Sequence, residues 1–373
     1  MQITASDPRV LAMPSRYVQG NGAIARLGRE LARLCKRPLL IVDDFILSTY
    51  GEAIEADLKA NHLESVVVGF SGLCTRRKSG EYAQRCRENS CDLVAGIGGG
   101  SAIDAAKGSA ILGDDLGLKV VSIPTVASND APTSRACVFY SSEGSLEKVA
   151  LLSENPCLVL VDTGIIAKAP VRFLVSGIGD ALTTKFEAEQ CAGSGHRSRV
   201  EARQTLTGMA LGDLCYRTLR KYAKQAVRSV ENGIVTEALE YVVEATILLS
   251  GAGFENGGLA AAHAMTRGLS MVSQFHSCLH GFEVAYGLMV QFILEGRPDD
   301  FILEMMGFYR DVGLPTSLAD LGLKEVTEEI IELIVGATCA DQDSHIHKMT
   351  VPVDEAKLRG AILLVESLAQ KCY

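Results

Sequence analysis

In the first 170 residues, short apolar segments alternate with longer amphipathic ones. The apolar segments are rich in Val, Ile and Leu and lack polar alternation, which is typical of parallel strands covered on both faces. They predict strands over residues 38–42, 65–70, 92–97, 119–123 and 157–161. The helical segments between them complete the pattern of a doubly wound α/β domain. Residues 136–140 and 148–152 flank a turn and predict an added hairpin.

Beyond about residue 170 the hydrophobic period becomes helical and strand candidates disappear. Helices are predicted over residues 180–191, 199–224, 235–254, 258–272, 281–294, 299–312, 325–340 and 354–369. The change of period marks a domain boundary. The sequence therefore predicts an α/β domain over residues 1–170, with a mostly parallel sheet, followed by an all-α domain over residues 171–373.

Composition narrows the possible partners. The net charge of −9 argues against nucleic acid or an anionic membrane surface as the main partner. The first residues lack a basic segment followed by an apolar run, and no apolar stretch approaches the ~20 residues of a spanning helix, so we expect neither a secretory signal nor a membrane segment. Eleven cysteines without a Cys-x-x-Cys pair indicate reduced thiols in a cytoplasmic protein.

A glycine-rich segment directly follows the third predicted strand. Ligands of doubly wound sheets sit at the carboxyl ends of the strands. Gly98, Gly99 and Gly100 allow the backbone to approach a bulky anion, and Ser101 is placed to cap the next helix. Asp104 falls in the first helical turn, where it is expected to cap the helix or hold the glycine loop. The alternative is a tight turn without a ligand, but three successive glycines favour phosphate binding.

Two further polar features follow predicted strands. Asp43 ends the first strand, where an acid can bond the ribose hydroxyls of an adenosine and repel the 2′-phosphate of NADP. It precedes the glycine loop, so the usual dinucleotide fingerprint is not met, and adjacent surface acids are often only solvated. Residues 124–134, with Asp130 in the middle, form either a nicotinamide-ribose and substrate loop or an ordinary loop.

Three residues of the second half are candidate metal ligands. His263 and His280 lie in apolar, helix-forming surroundings, where an imidazole without a partner costs about 1–3 kcal/mol. Either a metal ion or backbone carbonyls would satisfy them. Asp180 is expected at the start of a helix, where an acid usually caps. Together, one carboxylate and two imidazoles suit a divalent metal with an open fourth position.

Five segments also match a known family in order. They are GIGGGSAIDAAKG, IPTVASNDAPTS, GIGDAL, GGLAAAHAM and HGFEVAYG. Over essentially its whole length the chain resembles the metal-containing group III, or iron-type, alcohol dehydrogenases, and especially their glycerol dehydrogenase branch. The resemblance implies the dehydroquinate synthase-like fold: a nucleotide-binding α/β domain, a helical metal-binding domain and an active site in the cleft between them.

The resemblance also assigns roles to residues. It makes Asp180, His263 and His280 the ligands of Zn²⁺, and it places Asp130 beside the substrate hydroxyls. It places the following residues around NAD: Asp43, Gly98, Gly99, Gly100, Ser101, Asp104, Thr125, Ser128, Ser134, Ala136 and Tyr140. His276 matches a histidine often found four residues before the last ligand, and it is a candidate to carry the proton, as is a water chain.

Some positions depart from the family pattern. Thr184 stands where iron-binding relatives carry another histidine, which favours zinc. Phe282 and Glu283 replace the Glu-Lys pair common in glycerol dehydrogenases, and Thr266 and Arg267 replace a common His-Asn pair. Because Arg267 follows His263 by one helical turn, we expect it to alter the charge of the pocket.

The resulting expectation is an NAD-dependent oxidoreductase. It oxidises glycerol, or a related vicinal diol, to dihydroxyacetone or the corresponding hydroxyketone, as a cytoplasmic homo-oligomer between a dimer and an octamer. One alternative is a hydroxycarboxylate dehydrogenase with Arg267 as the carboxylate partner. A sugar-phosphate cyclase is disfavoured because Lys185 and Arg267 are nearly the only cations offered to a phosphate. A metal- or nucleotide-sensing protein without activity is the non-enzymatic alternative.

Overall fold

The computed structural model describes residues 7–142 and 144–371, which group into two compact units. The sheet unit comprises Ala12–Pro170 and Ser229–Gly251, and the helical unit comprises residues 7–11, Val171–Arg228 and residues 252–371. The two-domain division at residue 170 stays a prediction. In the structure, Ser229–Gly251 groups with the sheet and residues 7–11 group with the helices.

The described part of the sheet unit contains eight strands, which are β1 Tyr17–Gly20, β2 Pro38–Asp43, β3 Val66–Phe70, β4 Leu93–Gly98, β5 Lys119–Pro124, β6 Ala136–Tyr140, β7 Leu146–Leu151 and β8 Leu158–Asp162. Six of them form a parallel sheet in the order β1-β8-β5-β4-β2-β3, and β6 and β7 form a separate hairpin. The predicted strands and hairpin are confirmed. The short, partly buried β1, read YVQG, was missed because it carries one aliphatic residue.

Helices cover both faces of the sheet, which explains why its strands do not alternate with polar residues. They are α1 Leu27–Leu31, α2 Asp44–Ala60, α3 Arg76–Glu88, α4 Gly100–Leu112 and α5 Thr163–Ile166. Leu40 and Val42 of β2 pack in a core with residues of α1 and α2. Leu39 and Ile41 of the same strand pack in a second core with residues of α3 and α4.

Beyond residue 170, the regular elements of the described chain are helices. Its helices are α6 Val171–Gly193, α7 Leu206–Glu231, α8 Glu237–Glu244, α9 Ser250–Gly257, α10 Ala261–Leu269, α11 His280–Leu294, α12 Asp299–Val312, α13 Glu328–Cys339 and α14 Glu355–Lys371. A π-helical turn, Ala245–Leu249, joins α8 to α9. None of the described helices is long and apolar enough to cross a membrane.

The prediction that Asp180 begins a helix was wrong. Helix α6 begins nine residues earlier, at Val171, so Asp180 lies within the helix and does not cap it. In the sequence, Gly177 and Gly179 suggest that no helix runs through this segment, since glycine disfavours helix interiors. Gly179 is nevertheless helical, and the neighbouring helix packs against it too closely for a larger residue at this position.

Helix α8 belongs to the sheet unit because Glu240 bonds to two of its elements. The amide of Gln19, in β1, donates to the carbonyl oxygen of Glu240 at 2.9 Å and to its carboxylate at 2.7 Å. The hydroxyl of Thr163, at the start of α5, donates to the other carboxylate oxygen at 2.6 Å. Such contacts between residues more than 70 positions apart leave no periodic signal in a sequence.

Candidate metal and nucleotide sites

The helical unit brings Asp180, His263 and His280 together. Nε2 of His263 lies 3.4 Å from Oδ1 of Asp180, and Nε2 of His280 lies 3.9 Å from the same oxygen. One potential ligand atom from each residue lies within 4.8 Å of the others. Zinc bonds of about 2.0–2.1 Å place tetrahedral ligand atoms roughly 3.3–3.4 Å apart. Both the donor set and its spacing therefore fit a divalent metal ion.

Glycines beside the candidate ligands permit this convergence. A Cβ on Gly281, next to His280, would lie 1.9 Å from the carbonyl oxygen of Ser176 in α6. A Cβ on Gly179, next to Asp180, would lie 2.5 Å from the carbonyl oxygen of Gly281. Real Cβ atoms do not come so close to backbone oxygens, so only glycine at these positions lets α6 and α11 approach as they do.

Glu187 is a further member of the site that the sequence analysis missed. Its fully buried carboxylate accepts a hydrogen bond from Nδ1 of His263 at 2.5 Å, and its second oxygen accepts from the backbone N–H groups of Ala260 and His263 at 2.9 Å. A carboxylate on Nδ1 fixes the tautomer and directs Nε2 toward a metal. The available signal was its spacing: Glu187 follows Asp180 by seven residues, two turns along one helix face.

The carboxylates also set the protonation of His263. Burial alone lowers the pKa of His263, but the charge of Glu187 and hydrogen bonds to Asp180 and Glu187 outweigh it and raise that pKa well above 6.5. A metal binds only a neutral imidazole, so a metal ion at this site would compete with a proton for His263.

Exposure differs strongly among the three side chains. Asp180 is 2% exposed and His263 16%, whereas His280 is 46% exposed. The group is thus closed at the carboxylate and open to solvent at His280.

Burial raises the pKa of Glu283, one turn after His280, to about 8.

In the sheet unit, two of the predicted nucleotide-binding residues, Asp43 and Gly98, meet at the carboxyl edge of the sheet. Strand order reverses between β2 and β4, and Asp43 ends one of these strands while Gly98 ends the other. A Cβ on Gly98, whose φ is +155°, would lie 2.9 Å from Cβ of Asp43 and 2.8 Å from Cβ of Ala102. Ligands of open α/β sheets bind at such a switch point, beyond the carboxyl ends of the strands.

Two details of the glycine loop differ from expectation. Gly99, not Ser101, is the N-cap of α4, and it makes no side-chain cap. Asp104 neither caps the helix nor holds the glycine loop: its Oδ2 accepts from the N–H of Val138, 3.2 Å away in β6, and Oδ1 lies 3.9 Å from Nζ of Lys107. Burial raises the pKa of Asp104 to about 6. This acid therefore links α4 to the hairpin.

The loop after β5 lies next to the glycine loop. The N–H of Thr125 donates to the carbonyl oxygen of Gly98 at 3.0 Å. A Cβ on Gly100 would lie 3.2 Å from Nδ2 of the Asn129 side chain. Ser128 is half-buried in this loop, and the hydroxyl of buried Ser134 contacts the carbonyl oxygen of Ala131 at 3.3 Å. Ala136 and Tyr140 are the two ends of β6.

Asp130 and His276, the candidate catalytic residues, lie in different units and have different environments. Asp130 is 8% exposed, and its Oδ2 accepts from the hydroxyl of Ser250 at 2.6 Å. His276 is exposed, with Nε2 3.1 Å from the carbonyl oxygen of Ser270 in its own loop. The roles of both in catalysis stay predictions.

The structure shows the contacts of Arg267 and Thr184, two residues that depart from the family pattern. The guanidinium of Arg267 pairs with Asp341 at 2.6 Å, and both side chains are exposed, so its charge is largely balanced there. Thr184, in the position of the additional histidine of iron-binding relatives, is buried, and a Cβ on Gly253 would lie 2.6 Å from its Cγ2.

Every cysteine among the described residues is a free thiol, as predicted.

The fold and the donor set together are those of a metal-dependent alcohol dehydrogenase. The model of the family "Iron-containing alcohol dehydrogenase" matches residues 14–163. A glycerol dehydrogenase of Thermotoga maritima is 42% identical over 91% of this chain and 92% of its own. The chain belongs to the iron-containing alcohol dehydrogenase family, as its resemblance implied.

Two other relatives extend the comparison. A glycolaldehyde reductase of Halobacterium salinarum is 36% identical over 97% of this chain and 98% of its own. The crystal structure of glycerol dehydrogenase from Schizosaccharomyces pombe matches with a TM-score of 0.93 and 34% identity, covering 98% of this chain and 92% of that one. The similarity to glycerol dehydrogenases therefore spans both sequence and fold.

Proposed function

We propose that this protein is a zinc-dependent, NAD-linked glycerol dehydrogenase, which oxidises glycerol or a related vicinal diol to the hydroxyketone. The observation that carries the proposal is the convergence of Asp180, His263 and His280 in a chain that resembles glycerol dehydrogenases over its whole length. Three protein ligands leave a fourth position for a substrate hydroxyl, as in catalytic zinc sites. Thr184 supplies no fourth protein ligand, which favours zinc over iron.

The chain's own residues would bind and orient the reactants. When bound, Zn²⁺ supplies a Lewis acid that lowers the pKa of an alcohol. Glu187 holds His263 with Nε2 toward the ion, and the exposed side of His280 leaves room for a small polyol. Asp130 accepts a hydrogen bond from a second substrate hydroxyl, which favours diols over simple alcohols. His276 or a water chain carries the released proton to solvent.

The sheet unit would hold NAD. The free N–H groups and dipole at the start of α4, beside Gly98–Gly100, suit the pyrophosphate. Asp43 accepts hydrogen bonds from the adenosine ribose and repels the 2′-phosphate of NADP. Thr125, Ser128, Ser134, Ala136 and Tyr140 complete the contacts with the cofactor.

A second candidate is the reverse direction on a smaller substrate, the NADH-linked reduction of a hydroxyaldehyde. It is favoured by the 36% identity with a glycolaldehyde reductase. The hydroxycarboxylate alternative depends on Arg267 as the carboxylate partner, and the guanidinium of Arg267 pairs with Asp341 at 2.6 Å. A substrate panel separates these functions.

The test follows NADH absorbance with the zinc-loaded protein and glycerol, 1,2-propanediol, a 2-hydroxy acid or, in reverse, glycolaldehyde. We expect the highest kcat/KM with a vicinal diol and NAD, and little turnover with NADP. His263→Ala should lose both zinc and turnover, whereas His347→Ala, at an exposed histidine, is the matched control. A folded His263→Ala protein that keeps its zinc and oxidises glycerol normally disproves the ligand assignment.

A further inference from the structure

We propose that Ser250 is a positioning residue for Asp130, and that the π-helical turn before Ser250 orients the Ser250 hydroxyl toward the Asp130 carboxylate. The inference rests on the role proposed above for Asp130 as the acceptor of a second substrate hydroxyl. It adds the group that sets the orientation of that acceptor, and so the preference of the site for vicinal diols. All the residues concerned lie in the sheet unit.

The bond between the two side chains is short and buried. Oγ of Ser250 donates to Oδ2 of Asp130 at 2.6 Å, with Ser250 0% and Asp130 8% exposed. Hydrogen bonds to a charged acceptor contribute more than neutral ones, and water competes little for a buried donor. A carboxylate offers about four acceptor sites, and the bond from Ser250 uses one of them.

The backbone before Ser250 departs from α-helical geometry. Its N–H donates to the carbonyl oxygen of Ala245, five residues back, where an α-helix would use the fourth. One extra residue in a turn rotates everything after it by about 100° around the helix axis. The π-turn thereby determines which face of α9 carries the Ser250 hydroxyl. Such turns occur frequently at functional sites.

The same turn contacts the Asp130 loop at two more points. The hydroxyl of Thr133 donates to the carbonyl oxygen of Ile247, within the π-turn, at 2.6 Å. A Cβ on Gly251 would lie 2.7 Å from Cβ of Thr133 and 2.9 Å from the carbonyl oxygen of Asp130. Ser250 is thus one of several contacts through which residues 245–251 fit closely against residues 130–133.

A buried lysine also holds this loop. Nζ of Lys107, in the helix that follows the glycine loop, donates to the carbonyl oxygens of Ala131 at 2.5 Å and Ala136 at 2.7 Å. The Lys107 side chain is fully buried. These bonds hold the backbone next to Asp130, and the Ser250 hydroxyl restricts rotation of the Asp130 side chain.

The test compares Ser250→Ala with Ser109→Ala. Ser109 is the matched control because it is equally buried but its hydroxyl bonds only to the carbonyl oxygen of Ala105 in its own helix. We expect Ser250→Ala to lower kcat/KM for glycerol about ten- to a hundred-fold through a loose carboxylate, with little change in KM for NAD. The ratio of kcat/KM for 1,2-propanediol to that for 1-propanol should fall. Ser109→Ala should leave both the rate and the ratio unchanged.

Asp130→Asn and the double variant separate the two claims. If Ser250 acts through Asp130, removing Ser250 from the Asp130→Asn protein costs little more, and the effects are strongly non-additive. Additive effects, or a Ser250→Ala enzyme with the wild-type diol preference while Asp130→Asn is impaired, overturn the inference alone. A fully active Asp130→Asn protein instead overturns the role proposed for Asp130. Thermal unfolding of each variant identifies any loss due to misfolding.

Discussion

Oε2 of Glu187 lies 2.5 Å from Nδ1 of His263. Glu187 belongs to the helix that carries Asp180, and His263 lies in α10. Glu187 is 0% exposed, so its charge depends on this imidazole and on the N–H groups of Ala260 and His263 for compensation. One residue therefore fixes the tautomer of a ligand, its orientation and the start of the helix that carries it.

Replacing Glu187 tests this relationship. Glu187→Gln retains an acceptor but removes the charge that strengthens the imidazole as a ligand, so we expect zinc affinity to fall about 10- to 100-fold. Competition with a chromophoric chelator measures the change. Glu189→Gln, at a partly exposed position of the same helix where the carboxylate pairs with Lys185, is the control and should bind zinc normally. Wild-type affinity in Glu187→Gln contradicts the assignment.

A methyl group at the crossing of α6 and α11 should separate the ligands. In Gly281→Ala the new Cβ meets the carbonyl oxygen of Ser176 at 1.9 Å, so we expect a loss of about 1–3 kcal/mol in unfolding free energy, together with weaker zinc binding. Gly307→Ala, in α12, meets nothing within 4 Å and should stabilise by up to about 1 kcal/mol. Chemical denaturation of both variants gives the comparison; equal stability would show that the crossing tolerates a side chain.

The glycine loop should be separable from the metal site. In Gly98→Ala the methyl group meets Cβ of Asp43 and of Ala102 at under 3 Å, at a φ of +155° that disfavours L-residues. We expect KM for NAD to rise at least tenfold, with zinc content unchanged. Gly80→Ala, in α3, has only one neighbour, at 4.0 Å, and is the control. Unchanged NAD kinetics in Gly98→Ala would place the cofactor elsewhere.

His345 should contribute to acid sensitivity. Burial lowers its pKa from 6.5 to about 3, helped by the positive charges of Lys348 and Arg199, and its Nδ1 is buried without a hydrogen bond in the described structure. Below pH 6.5 the unfolded chain binds a proton that the folded chain excludes, so stability falls with decreasing pH by up to about 1.4 kcal/mol per unit until about pH 3.

His345→Gln removes this titration, and we expect a shallower loss of unfolding free energy between pH 6 and pH 4. Urea denaturation of the metal-free protein at several pH values measures the slope. His347→Gln, on the exposed side of the same turn, should keep the wild-type slope. An unchanged slope in His345→Gln would show that this imidazole is already protonated in the folded protein.

Hydrophobic periodicity determined most of the secondary structure, because strands buried on both faces and long amphipathic helices each leave a local signature. It also located the glycine loop and the strand-end acid Asp43, since in a parallel sheet the carboxyl ends lie at one edge. The candidate ligands His263 and His280 stood out because imidazoles are rare in apolar segments.

Only the tertiary structure decided how distant residues meet. The approach of α6 and α11 depends on Gly179 and Gly281, whose helical role is invisible locally because glycine disfavours helices in isolation. The bonds of Glu187 to His263 and of Ser250 to Asp130 join positions 76 and 120 residues apart. The grouping of Ser229–Gly251 with the sheet rests on similar long-range contacts. Such contacts follow from helix packing in three dimensions, which a pattern along one chain does not encode.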